Sequence, residues 1–254
     1  MKTLVCIKRV PAPGARINLT LDARSIDARH LSFTVSPHEE CAVEEAIRLK
    51  ELHGGTAAVL TLGRSEAEEQ LRYAISVGAD EADLLATDEV DIDPVGTASA
   101  LSDRIKELEA AAGPFDLILF GNESADSGGY QVGVRVAHAL GRPVISGIKG
   151  LKIEDGTVEA RREIEGGFEI YRLPMPAVVA VKEGINLPRY PTLPGRLRAK
   201  KAQVRTVDPI LRSGGLSMLS LANPAEQQTT TKLMGHGSEA APAVVDLFEE
   251  LGLL

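Results

Sequence analysis

Short, continuous apolar runs alternate with capped amphipathic runs through the first two-thirds of the chain, and this alternation constrains the fold most. Residues 4–10 form an apolar run stopped by Pro11 and Pro13, and 56–62 form another ending at Gly63. Weaker or shorter runs follow at 82–86, at 117–120 before Gly121, and at 144–148. Such runs suit strands buried on both faces, as in a parallel sheet. Between them lie helix starts. Ser36-Pro37-His38-Glu39 reads as a capping box with Pro at the first helical position, leading into Ala42, Ala46, Leu49 and His53 on one stripe. Ser65 with Glu68 repeats the box ahead of Leu71, Ala74 and Ile75, and Asp93-Pro94 opens a third helix with Ala98, Leu101, Ile105 and Leu108 inward. A fourth helix is expected over 129–140, closed by Gly141.

Strand–helix alternation of this kind predicts an α/β, doubly wound, mainly parallel sheet of Rossmann-like type. Ligands in such sheets bind at the carboxyl ends of the strands. After residue 150 the pattern changes. Residues 151–153 and 158–160 flank Asp155-Gly156 as a hairpin, and 168–173 and 177–181 read as further strands, so an antiparallel extension is expected. A basic, Pro-punctuated stretch follows from 186 to 201, read as an extended loop because Pro191 and Pro194 flank Leu193. Residues 212–241 are polar and resemble an arm, and Val244, Val245, Leu247, Phe248 and Leu251 mark a terminal helix with one apolar face. The expected division is a nucleotide-binding domain at 1–205 and a C-terminal arm at 206–254.

The formal charge of −8 argues against nucleic acid, whose phosphates require a positive surface. The two cysteines, Cys6 and Cys41, form no metal or redox motif and no disulfide framework, as expected in a reducing compartment. No apolar stretch approaches a membrane span, and the N-terminal run meets charge too soon for a signal core. A soluble, cytoplasmic protein is the expectation, with no membrane insertion. The five histidines show no ligand spacing, and no catalytic signature emerges, so neither a metal site nor catalytic residues are expected.

The informative loop is Gly121-Asn122-Glu123-Ser124-Ala125-Asp126-Ser127-Gly128-Gly129-Tyr130-Gln131-Val132-Gly133, between a strand and a helix. Glycines allow close backbone approach, and a helix start offers unpaired N–H groups to a phosphate. An ordinary glycine-containing turn would look the same. The dinucleotide fingerprint is missing, because Lys8-Arg9-Val10-Pro11 follows the first strand, and no P-loop occurs. Arg189, Arg196, Arg198, Lys200, Lys201 and Arg205 concentrate positive charge in an acidic chain, fitting either a solvated loop or docking to an acidic surface.

Four segments resemble the β subunit of electron transfer flavoproteins (the ETF beta / FixA family): Val5-Cys6-Ile7-Lys8-Arg9-Val10-Pro11, the helix start from Ser36 to Ala46, Ala74 to Asp80 ending Gly78-Ala79-Asp80, and Asn186-Leu187-Pro188-Arg189-Tyr190-Pro191-Thr192-Leu193-Pro194 with Ala199-Lys200-Lys201. The similarity spans about residues 2–205. It implies an electron-carrier subunit that binds AMP and pairs with an alpha subunit holding most of the redox FAD. Electrons would pass from acyl-CoA or other primary dehydrogenases to an ETF-quinone oxidoreductase-like acceptor. By position, the resemblance puts AMP contacts on Cys6, Ser36, Pro37, His38, Glu39, Leu62, Gly63, Asp126, Ser127, Gly128, Gly129, Tyr130, Gln131, Val132, Gly133 and Val134. It puts partner docking in a recognition loop at 181–203, anchored by Leu193 with Tyr190, Arg189, Arg196, Arg198, Lys200 and Lys201. Two alternatives stay open: a bifurcating form with a second FAD in place of AMP, and a stand-alone adenine-nucleotide-binding module.

Overall fold

The computed structural model describes residues 1–89, 92–212, 215–224 and 231–254. They divide into two compact units, Met1–Ser220 and Leu221–Leu254.

In the first unit the apolar runs become strands of one nine-stranded sheet: β1 (Lys2–Cys6), β4 (Thr56–Gly63), β5 (Glu81–Ala86), β6 (Leu117–Gly121), β7 (Val144–Glu154), β8 (Thr157–Ile164), β9 (Gly167–Pro174), β10 (Ala177–Val181) and β11 (Arg205–Val207). Their spatial order is β11-β5-β4-β1-β6-β10-β7-β8-β9. Neighbours from β11 to β7 pair in parallel, whereas β7, β8 and β9 pair antiparallel. The fold is therefore α/β with a mainly parallel sheet and an antiparallel extension.

Both faces of the parallel part are covered, which is why its strands read as unbroken apolar runs. Leu117 and Leu119 of β6 face α1 (Pro37–His53) and α2 (Glu68–Val77), while Ile118 and Phe120 face α3 (Pro94–Ala112) and α4 (Val132–Leu140). From β1 the chain winds through β4 to β5, then returns to β6 on the opposite side of β1. The junction of β1 and β6 is thus the topological switch point, the place at which open α/β sheets bind ligands.

Several expectations need correction. Residues 177–181 are not part of the antiparallel extension: β10 lies between β6 and β7, parallel to both, and all five residues are buried. The uninterrupted Ala-Val-Val-Ala-Val composition was the signal for a central strand. The 4–10 run is not one strand. β1 ends at Cys6, and Arg9–Pro11 (β2) pairs instead with Phe33–Val35 (β3) in a small separate sheet. The fourth helix starts at Val132 rather than 129, because Gly128 and Tyr130 hold left-handed φ values of 55° and 54° that no helix accepts. At Ser65 the capping box is absent, since a 3-10 turn precedes α2. The stretch 186–201 is not extended throughout: Thr192 caps Gly195 N–H at 3.1 Å and Leu193–Lys201 forms α5. Pro194 sits in the first turn, where its missing N–H costs nothing.

Other readings hold. Asp93 caps α3 through Gly96 N–H at 2.8 Å. Asp155 and Gly156, both at positive φ, make the β7–β8 hairpin turn. In the second unit, α6 (Ala241–Glu250) has no buried residue, and Phe248 and Leu251 are exposed.

Candidate functional site

The carboxyl ends of β1 and β6 meet the start of α1 in one cluster. Gly121 ends β6, and a Cβ there would lie 2.7 Å from Glu39 Cγ and 3.0 Å from Glu39 N. Only glycine lets α1 approach so closely, and this brings Ser36, Pro37, His38 and Glu39 against the 121–131 loop. The N-cap of α1 forms only half of the expected box. Ser36 Oγ donates to Glu123 O at 3.3 Å rather than accepting from the helix, while the Glu39 carboxyl accepts from Ser36 N–H and from Lys8 N–H at 2.8 Å. Glu39 therefore ties the segment after β1 to the start of α1.

Glu39 is only 6% exposed. Burial pushes its pKa up to about 8, against the opposing effect of its two backbone hydrogen bonds. Beside it, Lys8 Nζ and Asp126 Oδ2 pair at 2.6 Å. Burial disfavours the Asp126 carboxylate, but the Lys8 charge and the hydrogen bonds from Lys8, Ser124 and Ser127 hold its pKa below the usual value. Cys6 ends β1 as a buried free thiol, its pKa raised by burial and by Glu39.

The loop is folded on itself. Gly128 N–H donates to Ser124 O at 3.0 Å, Ser127 N–H to Asp126 Oδ1 at 2.8 Å, and the Ser124 and Ser127 hydroxyls share a bond of 2.8 Å. Glu123 gathers several partners: His38 Nε2 lies 3.3 Å from its Oε1, and Tyr130 hydrogen-bonds its side chain. α4 then begins after Gln131 with no side-chain cap. A Cβ on Gly129 would meet nothing within 4 Å, whereas one on Gly133 would press on the Phe120 ring at 3.1 Å. An uncapped helix start behind an open glycine offers the N–H groups of Val132, Gly133 and Val134 to an anion, while the Lys8 ammonium is paired with Asp126 of the same loop. This chemistry fits a nucleotide phosphate.

The structure thus brings Ser36, His38, Glu39, Asp126, Ser127 and Tyr130 into one cluster with Lys8 and Glu123, neither of which the list from resemblance contained. Lys8 was legible as the first charge after an apolar strand. Leu62 and Gly63 lie at the carboxyl end of β4, beside β1. Among the described residues, no group of three or more His, Cys, Asp or Glu could hold a metal, and no helix is long and apolar enough to cross a membrane.

The second set of residues stands on α5 and the segment that leads into it. Tyr190 is 91% and Leu193 72% exposed. Arg196, Lys200 and Lys201 are exposed around them on α5. Arg189 is half-buried and held by carboxylates of α1, and Arg198, though exposed, is tied to α2. Arg189 pairs with Glu44 at 2.9 Å and Glu51 at 2.6 Å, and Arg198 donates to Ile75 O at 2.6 Å.

Comparison with known proteins matches residues 25–211 to the family described as electron transfer flavoprotein domain. The electron transfer flavoprotein subunit beta of Bacillus subtilis (strain 168) is 38% identical over 210 residues, covering 82% of this chain and 79% of its own. The protein of the same name from Bradyrhizobium diazoefficiens is 30% identical over 264 residues, covering 100% of each chain. Protein FixA of that organism is 32% identical over 209 residues, covering 80% of this chain and 72% of its own.

Proposed function

The chain belongs to the electron transfer flavoprotein beta-subunit (FixA) family, and on that premise we propose that it is the AMP-binding half of a heterodimeric electron carrier. The observation that carries this reading is the junction of β1, α1, β6 and α4. There a glycine-gated helix approach, an uncapped helix start and Lys8 converge at the switch point of a parallel sheet. The phosphate of AMP would be held by the N–H groups of Val132, Gly133 and Val134 behind Gly129. Ser36, His38, Glu39, Asp126, Ser127 and Tyr130 surround it, and Cys6, Leu62 and Gly63 form the strand ends that shape the floor. FAD, held mainly by the alpha subunit, supplies the redox chemistry when bound. This chain's residues bind the structural nucleotide, complete the heterodimer and present the partner-facing surface.

That surface is the segment from Tyr190 through α5. Tyr190 and Leu193 are apolar anchors, and Arg196, Lys200 and Lys201 steer encounter with an acidic face of a primary dehydrogenase, such as an acyl-CoA dehydrogenase. From the cytoplasm, this carrier passes electrons to an ETF-quinone oxidoreductase-like acceptor of the respiratory chain. Co-expression with the alpha subunit tests the assignment. A stable yellow heterodimer carrying a single flavin is expected. A second flavin would indicate the bifurcating form, and failure to form a heterodimer would overturn the carrier reading.

A further inference from the structure

The exposed apolar row Leu187, Tyr190, Leu193 and Leu197 stands on a segment that is unusually well tied down for a surface connection. At its start, Glu183 N–H donates to His38 Nδ1 at 2.7 Å. Next, Asn186 Nδ2 donates to Glu45 Oε2 at 2.9 Å and to Cys41 O at 3.0 Å. Arg189 then engages Glu44 three times: Nε to Oε2 at 2.9 Å, Nη2 to Oε1 at 3.0 Å and backbone N–H to Oε2 at 3.1 Å. Its other face meets Glu51 at 2.6 and 2.9 Å. Past the turn, α5 presses on α2. A Cβ on Gly195 would lie 2.1 Å from Ser76 O, and Arg72 donates to Ala199 O.

Glu44 is the key group in this arrangement, because it is 6% exposed on α1 and, among the described residues, its ion pair is with Arg189 of the segment. A buried carboxylate must be paired, and a bidentate guanidinium with an added backbone N–H fixes the position and orientation of the residues that supply them. Tyr190 follows Arg189 directly, and Leu193 begins α5 three residues later. A loop already ordered in its bound form avoids the ordering cost that a mobile loop would incur on docking.

We infer that Glu44 is a positioning residue for partner docking: through Arg189 it holds the 186–192 segment so that Tyr190 and Leu193 stand preformed for the dehydrogenase. Glu44 itself touches no partner. The inference rests on the docking reading above.

The test uses the heterodimer with an acyl-CoA dehydrogenase that reduces the wild-type protein, and the variants Glu44→Gln, Arg189→Gln and Leu193→Ala. Glu44→Gln and Arg189→Gln should each raise KM for the dehydrogenase roughly tenfold, leaving kcat and flavin content near wild type; the thermal midpoint should hold in Glu44→Gln, where Arg189 keeps Glu51, and fall in Arg189→Gln, which strands the buried Glu44 carboxylate. Combining them should add little, because both remove the same clamp. Amide exchange of residues 187–192 should accelerate in both single variants, and Glu44→Asp should restore part of the KM. If Leu193→Ala raises KM while Glu44→Gln and Arg189→Gln do not, the clamp is overturned and docking survives. If Leu193→Ala leaves KM unchanged, the docking reading falls and the inference with it. If Glu44→Gln loses flavin and thermal stability along with turnover, Glu44 is a structural residue and the inference is overturned.

Discussion

Glu39 shows how one side chain can be placed by sequence and still be misread. Its position three residues after Ser36 announced a helix start, but its carboxyl serves Lys8 and Ser36 rather than a reciprocal box. The local signal was legible; the partner across the sheet, 31 residues away, was not. Its pKa is raised from 4.5 to about 8 by burial, which sets a pH dependence. Below 4.5 the group is protonated in both folded and unfolded chains. Between 4.5 and about 8 the unfolded chain loses this proton while the folded chain keeps it, so stability falls as pH rises, and above about 8 the slope vanishes. Urea midpoints of Glu39→Gln should lack this decline; a variant with the wild-type slope would place its origin elsewhere. Leu193 belongs to the same scale. Leu193→Ala should slow reduction by a partner dehydrogenase by an order of magnitude, since a lost anchor costs on the order of 2 kcal/mol. Its melting temperature should not move, because the side chain is exposed.

At the scale of elements, two glycines set the distances on which the sites depend. Gly121→Ala would drive a Cβ into Glu39 and His38, forcing the start of α1 away from β6. A stability loss of about 1–3 kcal/mol is expected from such overpacking, together with weaker nucleotide retention. Gly195→Ala would meet Ser76 O and lift α5 from α2. Faster amide exchange in α5, with the exchange of β1 and β6 unchanged, would show that the lift is local. Neither contact could be read from spacing, because both join elements distant in the chain. Helix α5 itself was missed for a related reason. The two prolines around Leu193 signal extension, but Pro194 at a helix start is compatible with helix, and Thr192 supplies the cap. The helices of the parallel region, by contrast, were legible from their stripes: Ala42, Ala46 and Leu49, and Ala98, Leu101 and Ile105, are all buried, although Leu108 is only partly so and His53, at the end of α1, is exposed.

For the whole molecule, the apolar runs identified a parallel sheet, but not its order. That β10 inserts between β6 and β7, and that Arg205–Val207 adds an edge beside β5, depend on non-local pairing. The switch point between β1 and β6, and with it the candidate site, emerges only from that order. The C-terminal unit, Leu221–Leu254, carries α6 with none of its residues buried and with Val245 and Phe248 exposed. Deleting 221–254 should leave the circular dichroism and nucleotide content of the remainder intact while weakening binding of the alpha subunit. Unchanged affinity for that subunit would remove the arm from the interface. The central claim, that the switch point at the ends of β1 and β6 binds AMP, is tested most directly by denaturing the purified heterodimer and identifying the nucleotide released. AMP equimolar with this chain, and reduced in proportion by Gly121→Ala, is the predicted result; release of FAD alone, with no AMP, would contradict it.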